Sequence, residues 1–339
     1  MPRASSPAGR KGRVTIHQVA DAAGVSIATV SRVMSRTESV SPELAERVRQ
    51  AAAALGYQPS AAAQGLATGV NRTVGVIVPN LANPYFYDII KAMNASAVAD
   101  GYRMLIADAN EDPSEEVTLG RELLRQVDAL VLVSPRMSVE ALRELEHESP
   151  AVVLVNRASI GVGLPTISIE NLGAMLEVAG HLAKLGHRGI AYLAGPAQSW
   201  QAQERLRAIN QAAAFGLHAA IVPAGATIGA GYAAVDAALG SDPTALVCFS
   251  DLVAFGALAR LHELGLQVPG DISLTGFDDI AFARYAKPAL TTVATPLQEI
   301  GSKAWQLVAS LLRHERPAPL PLLPARLIIR ESTGAPRTE

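Results

Sequence analysis

The chain has 339 residues, of which 49% are hydrophobic and 18% are charged, and its formal net charge is −2. This length predicts two or three domains, because a single hydrophobic core seldom organises so long a chain. We expect no membrane-spanning helix, since no run of roughly 18 or more apolar residues occurs. The single cysteine, Cys248, excludes a disulfide or a cysteine metal cluster within one chain, and its apolar neighbours predict that it is buried and inert.

Charge is distributed unevenly along the chain. Residues 1–60 contain eight Lys or Arg residues and four acids, whereas the remainder contains 21 basic and 27 acidic residues. A basic amino-terminal module on an acidic body is typical of a DNA-binding headpiece. Residues 1–13 have no apolar period and lack the apolar core of a signal peptide, so we predict a disordered arm and a cytoplasmic protein.

The segment that begins at Thr15 has the pattern of a short amphipathic helix. Its apolar residues recur at i, i+3, i+4 and i+7 and mark one helix face: Ile16, Val19, Ala20 and Ala23. Thr15 stands three residues before Gln18, which is the spacing of a capping box at a helix start. Gly24 then permits a sharp turn, because glycine adopts left-handed backbone conformations at little cost.

A second short helix follows this turn. Ser26 is a candidate amino-terminal cap, and three residues are predicted to face inward: Val30, Val33 and Met34. The outward positions are then Ile27, Ala28, Thr29, Ser31 and Arg32. A helix with such a face fits the major groove of B-DNA, where Arg32 can donate two hydrogen bonds to a guanine. The alternative is an ordinary helical hairpin with a solvated arginine.

A third helix is predicted to start at Ser41-Pro42-Glu43, which combines a cap, a proline at the first position and an acid in the first turn. Its apolar face is predicted to consist of Leu44, Val48 and Leu55, and Gly56 is a natural stop.

Residues 60–70 have a cap at Ser60 and several alanines, but they form only about two helical turns and include Gly65. An isolated helix of this length is mostly unfolded in water. One interpretation is a flexible linker. The other is a hinge helix that folds only on DNA, with Leu66 as a wedge in the minor groove.

Several motifs follow one another in this region: Val19-Ala20, Ala23-Gly24-Val25-Ser26, Thr29-Val30-Ser31-Arg32-Val33, Val40-Ser41-Pro42, Leu55-Gly56-Tyr57, Pro59, Ala63 and Leu66-Ala67. In their order and spacing, residues 14–69 resemble the DNA-binding domain and hinge of the lactose-repressor/galactose-repressor (LacI/GalR) family of bacterial transcription regulators. The resemblance implies that Ile27, Ala28 and Arg32 read bases, and that Leu66 intercalates at the centre of a near-palindromic operator.

The resemblance also implies phosphate contacts from Ser26, Thr29, Ser31 and the Tyr57 hydroxyl. The remaining predicted DNA-binding residues are Thr15, Ser35 and Ala63. The sequence departs from the family pattern at three places: Ser35 replaces a common asparagine, Leu44-Ala45 replaces a threonine and a basic residue, and Gln64-Gly65 stands where an arginine often precedes the hinge leucine. Fewer DNA contacts are therefore available, which predicts a modest affinity or a stronger dependence on the effector state.

From Thr73 onward, short apolar runs alternate with helical patterns. The strand candidates are 74–78, 104–107, 129–133, 152–155, 190–193, 245–249 and 272–274, and a last strand is expected at 327–330. The helical stretches are 84–99, 114–126, 172–185, 201–215, 252–264 and 298–312. Apolar strands separated by helices predict parallel sheets covered on both faces, and the length predicts two lobes with a ligand cleft at the carboxyl ends of the strands.

This region also carries motifs that resemble the effector-binding core of the same family: Val78-Pro79-Asn80, Asn83-Pro84-Tyr85-Phe86, Asp108, Glu111-Asp112-Pro113, Leu185-Gly186-His187-Arg188, Arg205-Leu206, Asp251, Ala254-Phe255-Gly256-Ala257, Val268-Pro269, Gly276-Phe277-Asp278-Asp279 and Leu290-Thr291-Thr292-Val293. That core is similar to periplasmic sugar-binding proteins, and the resemblance implies three crossings between lobes, near 162–165, 289–292 and 324–327. The predicted domains are an arm at 1–13, a helix-turn-helix domain at 14–59, a hinge at 60–70, an N-terminal lobe at 71–163 with 292–325, a C-terminal lobe at 164–291 with 326–333, and a tail at 334–339.

The cleft is predicted to bind a small polar molecule by hydrogen bonds and aromatic stacking. By the resemblance, Asp278 accepts hydrogen bonds from ligand hydroxyl or amine groups, and Arg205 contacts the ligand. The other candidates are the aromatic residues Tyr85, Phe86 and Trp200 and three residues after strand ends, Asn156, Arg157 and Ser250. The alternatives are a loop cap for Asp278, plain core for Tyr85 and Phe86, a cleft rim for Trp200, and a lobe-to-lobe salt bridge for Arg157.

The sequence thus predicts an all-α three-helix helix-turn-helix headpiece plus hinge helix, followed by an α/β bilobal periplasmic-binding-protein-like core with two parallel sheets. The predicted function is a repressor that binds double-stranded operator DNA as a homodimer under control of an effector, by default a sugar, with nucleobases and other metabolites as alternatives. The tail after Arg330 is too short for a tetramerising heptad helix, which favours a dimer.

Two other classes of protein are alternatives. A solute-binding protein without DNA function would share the core, but it would need a secretion signal. A metabolic enzyme with a Rossmann-like sheet would need a phosphate loop or a catalytic cluster, and we find neither pattern. We predict no catalytic residue, no cofactor and no metal site, because His181, His187, His218 and His262 lack partners at ligand spacing and are expected to be solvated or capping.

Overall fold

The computed structural model describes residues 14–34, 40–57, 70–149, 151–158 and 161–337. The predicted arm at 1–13, residues 60–69 of the predicted hinge, and the positions Ser35, Ala63 and Leu66 lie outside the described residues. The chain divides into two compact units, Met1–Arg72 and Thr73–Glu339.

The described part of the first unit contains the helices α1 (Ile16–Ala23), α2 (Ile27–Met34) and α3 (Pro42–Leu55). Helix α1 starts at the predicted capping box, in which the Thr15 backbone N–H donates to Gln18 Oε1 at 2.9 Å. Gly24 ends it with a φ of 62°, in the left-handed region. Arg47 Nη2 of α3 donates to the Ala23 carbonyl at 2.6 Å, which fixes this turn against the third helix.

A small core joins the three helices and consists of Val19, Ala20, Ala23, Val30, Val48 and Ala52. Val33 and Met34 pack against it, as predicted. The prediction for Leu55 is wrong, because its side chain is 38% exposed. Helix α3 has 14 residues and each of the other two has eight, so its last turn extends beyond the core they share.

The second unit contains two parallel sheets. The first has the strand order β2-β1-β3-β4-β5, with β1 (Thr73–Val78), β2 (Arg103–Asp108), β3 (Ala129–Val133), β4 (Val152–Val155) and β5 (Thr166–Ile167). Its helices are α4 (Tyr85–Ala99), α5 (Pro113–Leu124), α6 (Val139–Glu148) and a helix from late in the chain, α11 (Leu297–Leu312). Helix α11 packs tightly on α4 at Gly301, where an added Cβ would lie 2.3 Å from the Ile89 carbonyl oxygen.

The second sheet has the order β7-β6-β8-β9, with β6 (Gly189–Ala194), β7 (His218–Pro223), β8 (Ala245–Cys248) and β9 (Ser273–Thr275). Its helices are α7 (Asn171–Leu185), α8 (Trp200–Gln211), α9 (Ile228–Leu239) and α10 (Asp251–Glu263), and a 3-10 turn at Ala212–Phe215 follows α8. A separate antiparallel pair is formed by β10 (Thr292–Ala294) and β11 (Arg326–Ile328).

The two parallel sheets and the helical headpiece confirm the predicted fold class. The elements that the sequence analysis did not predict are α6, α9, β5, β7 and β10. The predicted helix at 201–215 is shorter, because its last turn, Ala212–Phe215, is a 3-10 turn. The domain boundaries given above stay predictions.

Two predictions about single side chains have different outcomes. Cys248 is fully buried in β8, as predicted, and burial raises the pKa of its thiol. His187 is neither solvated nor a helix cap: it is fully buried, with Nδ1 2.8 Å from Thr244 Oγ1 and Nε2 2.9 Å from the Gly334 carbonyl oxygen. Within the described ranges, no helix is long and apolar enough to cross a membrane.

Candidate functional site

The outward face of α2 is the candidate DNA-binding surface. Ile27 is 41% exposed, and Ala28 and Arg32 are exposed as well. Val30 is fully buried on the opposite face and anchors the helix to the headpiece core. An arginine and apolar side chains on the same exposed face are suited to contact guanine edges and thymine methyl groups.

Hydroxyl groups surround the start of α2. The Thr29 backbone N–H donates to Ser26 Oγ at 3.2 Å, and Ser26 Oγ lies 2.9 Å from Thr29 Oγ1. Ser26 is exposed, Ser31 is half-buried, and Tyr57 packs half-buried against the headpiece core. Hydroxyls and backbone N–H groups at a helix amino terminus are suited to phosphate.

The remaining predicted DNA contacts have different positions. Thr15 is exposed at the start of α1, where it takes part in the capping box. Ser35, Ala63 and Leu66 lie outside the described residues, so the structure adds nothing to those predictions.

A cleft lies between the two lobes of the second unit and is here named the interlobe cleft. Its lining residues from the first lobe are Asn83, Tyr85, Phe86 and Arg136, and those from the second lobe are Gln201, Arg205, Ala226, Phe249 and Asp278. The cavity between them is about 20 Å³, which is room for about one water molecule. Four of the predicted effector contacts therefore lie together: Tyr85, Phe86, Arg205 and Asp278.

Arg205 is the central cation of the interlobe cleft and is only 1% exposed. Its Nε donates to Asn171 Oδ1 at 3.0 Å and its Nη1 to the Phe249 carbonyl at 2.6 Å. Its guanidinium carbon lies 3.5 Å from the centre of the Phe277 ring. These contacts hold the planar guanidinium in one orientation, so its remaining N–H groups are preorganised for a ligand.

Asp278 is the carboxylate partner of this arginine. Its Oδ1 lies 3.5 Å from Arg205 Nη2, and the residue is 6% exposed. Burial raises the pKa of Asp278 to about 7, while the nearby Arg205 charge and hydrogen bond lower it. The pair places an acceptor and a donor side by side, which is the arrangement needed to bind a ligand hydroxyl group.

Tyr85 and Phe86 form the aromatic wall of the cleft. Their ring centroids are 5.3 Å apart in an edge-to-face arrangement. The Tyr85 hydroxyl accepts a hydrogen bond from Asn156 Nδ2 at 2.9 Å. Burial, and after it the Asp278 charge, raises the pKa of the Tyr85 phenol. Asn156 thus orients Tyr85 and is not one of the cleft-lining residues.

The other three predicted effector residues also lie away from the cleft lining. Arg157 Nη1 donates to the Pro135 carbonyl at 2.9 Å, within the first lobe. Ser250 caps α10 by accepting from the Val253 N–H at 3.4 Å. Trp200 is half-buried at the start of α8. Direct ligand contacts by these residues stay predictions.

Sequence reasoning missed five lining residues: Asn83, Arg136, Gln201, Ala226 and Phe249. Arg136 and Phe249 follow the carboxyl ends of β3 and β8, so the strand-end rule could have found them. Arg136 pairs with Glu111, Nε to Oε2 at 2.9 Å.

The loop that carries Arg136 is held by a buried carboxyl group. Glu116 Oε2 accepts from the Arg136 N–H at 2.7 Å and from the Met137 N–H at 2.8 Å. Burial raises the pKa of Glu116 to about 7, although these two hydrogen bonds lower it. Glu116 therefore positions the arginine of the first lobe without facing the cleft itself.

Another buried carboxyl group links α10 to β10. Asp251 at the start of α10 accepts from Thr292 Oγ1 of β10 at 2.5 Å and from the Ile280 N–H at 2.9 Å. Burial and, after it, the Asp278 charge raise the Asp251 pKa well above its ordinary value. The charge of Asp278 therefore acts on a carboxyl group that is hydrogen-bonded to β10.

A helix-turn-helix headpiece followed by a two-lobed core with a charged cleft defines a ligand-responsive DNA-binding protein. Comparison with known families agrees: residues 15–60 match the family described as "Bacterial regulatory proteins, lacI family", and residues 179–333 match a periplasmic binding protein-like domain.

Similar proteins match nearly the whole chain. The repressor CytR of Escherichia coli K12 is 33% identical, covering 95% of this chain and 96% of its own length. The regulator GalR of the same organism is 34% identical, with coverage of 96% and 97%. A Lac repressor dimer bound to operator and the anti-inducer ONPF has a TM-score of 0.82 at 27% identity, covering 96% of this chain and all of that one. The chain belongs to the LacI family of transcription regulators, and these relatives are regulators rather than enzymes.

Proposed function

We propose that this protein is a transcriptional repressor whose affinity for a near-palindromic operator is controlled by a small molecule bound in the interlobe cleft. One observation supports this most strongly. The same chain presents Arg32 on the exposed face of α2 and keeps the Arg205–Asp278 pair buried at a cleft between two lobes. The first arrangement suits DNA bases, and the second suits a small hydroxylated ligand.

A sugar or related polyol is the effector class that the cleft supports best. Asp278 and Arg205 supply an acceptor and donors for neighbouring hydroxyl groups, and Phe86 and Phe249 supply apolar faces for the carbon skeleton. A similar structure, the regulator CelR in complex with cellobiose, has a TM-score of 0.70 at 29% identity and covers 94% of this chain. Nucleobases and other metabolites are the alternatives.

We further propose a homodimer in which each copy reads one half of the operator. Two-fold symmetry of the protein then matches that of the near-palindrome, as in the operator-bound Lac repressor dimer. Effector binding changes the lobe arrangement and melts the hinge at 60–70, which lowers operator affinity. Coupling of about 1–3 kcal/mol between the two sites is typical of allosteric proteins and is enough to shift so short a helix.

The proposal is tested with the purified full chain and labelled duplexes. One duplex carries the promoter region of its own gene, and a matched duplex has a random sequence. We expect tighter binding to the promoter duplex and a steep loss of affinity for both duplexes as salt rises. A thermal-shift screen of sugars and metabolites then supplies ligands, and each hit should change promoter binding and leave binding to the random duplex nearly unchanged.

Two results would contradict the proposal. One is equal binding to both duplexes at low ionic strength, with and without every hit. The other is that every ligand that stabilises the protein leaves promoter binding unchanged, which would remove the control by a small molecule.

A further inference from the structure

A second concave surface lies along α7, and none of its lining residues belongs to the interlobe cleft. It is bounded by Leu176 and Gly180 of α7, by Phe215 after α8, and by Leu327 and Ile329 near the end of the chain, and it is here named the α7 groove. Its volume is about 750 Å³. Phe215 is 43% exposed and Ile329 is 61% exposed, so large apolar side chains at its edges face solvent.

Gly180 occupies the middle of this surface. It lies inside a 15-residue helix, where glycine costs about 1 kcal/mol relative to alanine. A Cβ added at Gly180 would meet no atom within 4 Å, so nothing in this chain requires a glycine there. The lack of a side chain at this position permits a second helix to approach more closely than ordinary side chains allow.

Two opposite charges flank Gly180 on the groove side of α7. Glu177 lies three residues before it and Lys184 four residues after it, and both side chains are exposed. Glu177 Oε2 accepts from the Leu327 N–H at 3.3 Å, which holds this carboxylate at the groove. The remaining polar lining residue, His181, has its Nε2 3.0 Å from Thr333 Oγ1.

This charge pattern is complementary to itself. If a second α7 lies antiparallel across the first, with the two-fold axis near Gly180, Glu177 of each copy faces Lys184 of the other. Such a contact buries the same patch on both copies and forms two equivalent ion pairs around a close approach of the helices. The apolar edges at Phe215 and Ile329 are covered in the same step, which supplies the hydrophobic part of the interface.

We propose that two copies of this chain associate through the α7 groove, with their α7 helices antiparallel and Glu177 paired with Lys184. The contact uses only residues of the second unit and does not depend on operator binding. In a protein that also forms the operator-binding dimer proposed above, it joins two dimers.

The test is the mass of the full chain in solution without DNA, measured by sedimentation equilibrium over a wide concentration range. We expect the wild type to assemble reversibly beyond the operator-binding dimer, and Glu177→Lys and Lys184→Glu each to weaken this further step about tenfold to hundredfold, because each reversal sets like charges together twice. The double variant E177K/K184E should restore assembly, since the pairs are re-formed with exchanged signs. Gly180→Leu should abolish assembly by occupying the point of closest approach.

Arg207→Glu on α8 is the matched control, because Arg207 is 64% exposed and lies outside the groove. It should leave the mass unchanged, and unfolding midpoints should show that every variant is folded. The proposal is overturned if both single-reversal variants assemble as strongly as the wild type. It is also overturned if the double variant does not regain wild-type assembly. In either case the groove belongs to another occupant, such as a small apolar ligand.

Discussion

Asp278 and Arg205 determine each other's environment within the interlobe cleft. Both side chains are almost fully buried, and the 3.5 Å between Asp278 Oδ1 and Arg205 Nη2 is longer than a strong ion pair requires. Burial outweighs this attraction and raises the pKa of Asp278 to about 7. The carboxyl group therefore changes charge near neutral pH, and a ligand hydroxyl that donates to it favours the ionised form.

Effector binding should accordingly depend on pH. We expect wild-type affinity to rise between about pH 6 and pH 8, because the ionised Asp278 accepts the ligand hydrogen bond more strongly. Asp278→Asn should bind about tenfold to hundredfold more weakly and lose this pH dependence. Calorimetric titrations across this range measure both effects, with the exposed Asp236→Asn as control. An affinity that is independent of pH in the wild type would contradict this role.

Arg32 offers a second test at the scale of one side chain. We expect Arg32→Ala to cost about 1–3 kcal/mol of binding to the promoter duplex, because a bidentate contact to guanine is lost. Binding to random DNA should fall much less, since it depends on phosphate contacts. Arg49→Ala on α3 is the control, an arginine that is 60% exposed and paired with Glu46. Equal losses on both duplexes would assign Arg32 to the DNA backbone instead.

The sequence indicated which residues line the cleft better than it indicated which way each side chain faces. Asp278 and Arg205 were predicted from motifs, and the structure brings them to the same cavity. The sequence did not indicate that the Asn156 amide donates to the Tyr85 hydroxyl, and contact of Asn156 with the effector stays a prediction. Gln201 was missed in favour of its neighbour Trp200, because one helical residue turns the side chain by about 100° and local pattern does not fix which one faces the cleft.

At the scale of elements, α9 and α10 show how glycine sets helix spacing. A Cβ added at Gly256 would lie 1.9 Å from the Ile228 carbonyl oxygen and 2.6 Å from the Tyr232 nitrogen. Both neighbours are backbone atoms of α9, so no side-chain rotation relieves the clash. The two helices must separate to accept even one methyl group.

Gly256→Ala should therefore lower the free energy of unfolding by about 1–3 kcal/mol or more through overpacking. Gly229→Ala is the matched control, since an added Cβ there meets nothing within 4 Å and alanine is the better helix former. Chemical denaturation of the two variants and the wild type gives the comparison. A Gly256→Ala protein as stable as Gly229→Ala would show that the helices adjust at little cost.

In the hinge segment, replacing a glycine by alanine is expected to stabilise a helix, in contrast to the replacement at Gly256. The sequence predicts a helix of about two turns at 60–70, and Gly65 weakens it by about 1 kcal/mol. Gly65→Ala should raise operator affinity up to about fivefold and reduce the effect of the effector, because the helix then resists melting. Salt-controlled binding titrations with and without effector test this. An unchanged operator affinity would argue for a flexible linker.

The sequence predicted best those helices and strands that have the clearest apolar pattern. Strands such as β3 and β4 are continuous apolar runs, mostly of Val and Leu, that are buried at every position, and the sequence located them within a residue. Strand β7 lies at the edge of its sheet and is partly exposed, so it lacks such a run. Helix α9 is rich in Ala and Gly and has no clear polar face, because its tight contact with α10 selects small residues.

For the whole molecule, buried carboxyl groups link stability to pH. Glu116 and Asp278 have pKa values raised to about 7, and the pKa of Asp251 is raised as well, in each case mainly by burial. A raised pKa means that the folded state binds the proton more tightly than the unfolded chain does. The stability that these groups contribute is therefore complete below their unfolded pKa and is lost as pH rises through the folded value.

We expect these carboxyl groups to contribute less to the free energy of unfolding as pH rises from about 5 to about 8. Glu116→Gln should flatten this dependence, because the amide oxygen still accepts from the Arg136 and Met137 N–H groups and does not ionise. Denaturation curves at several pH values compare it with the wild type and with the exposed Glu144→Gln. If the free energy of unfolding depended on pH equally in all three proteins, Glu116 would not be a source of this dependence.

The small volume of the interlobe cleft has a kinetic consequence. A space of about 20 Å³ admits no sugar, so the lobes must part before any effector enters. At high effector concentration the rate of capture then levels off at the rate of lobe opening instead of rising with each added molecule. At that plateau, added effector no longer shortens the time to capture, because lobe opening alone sets it.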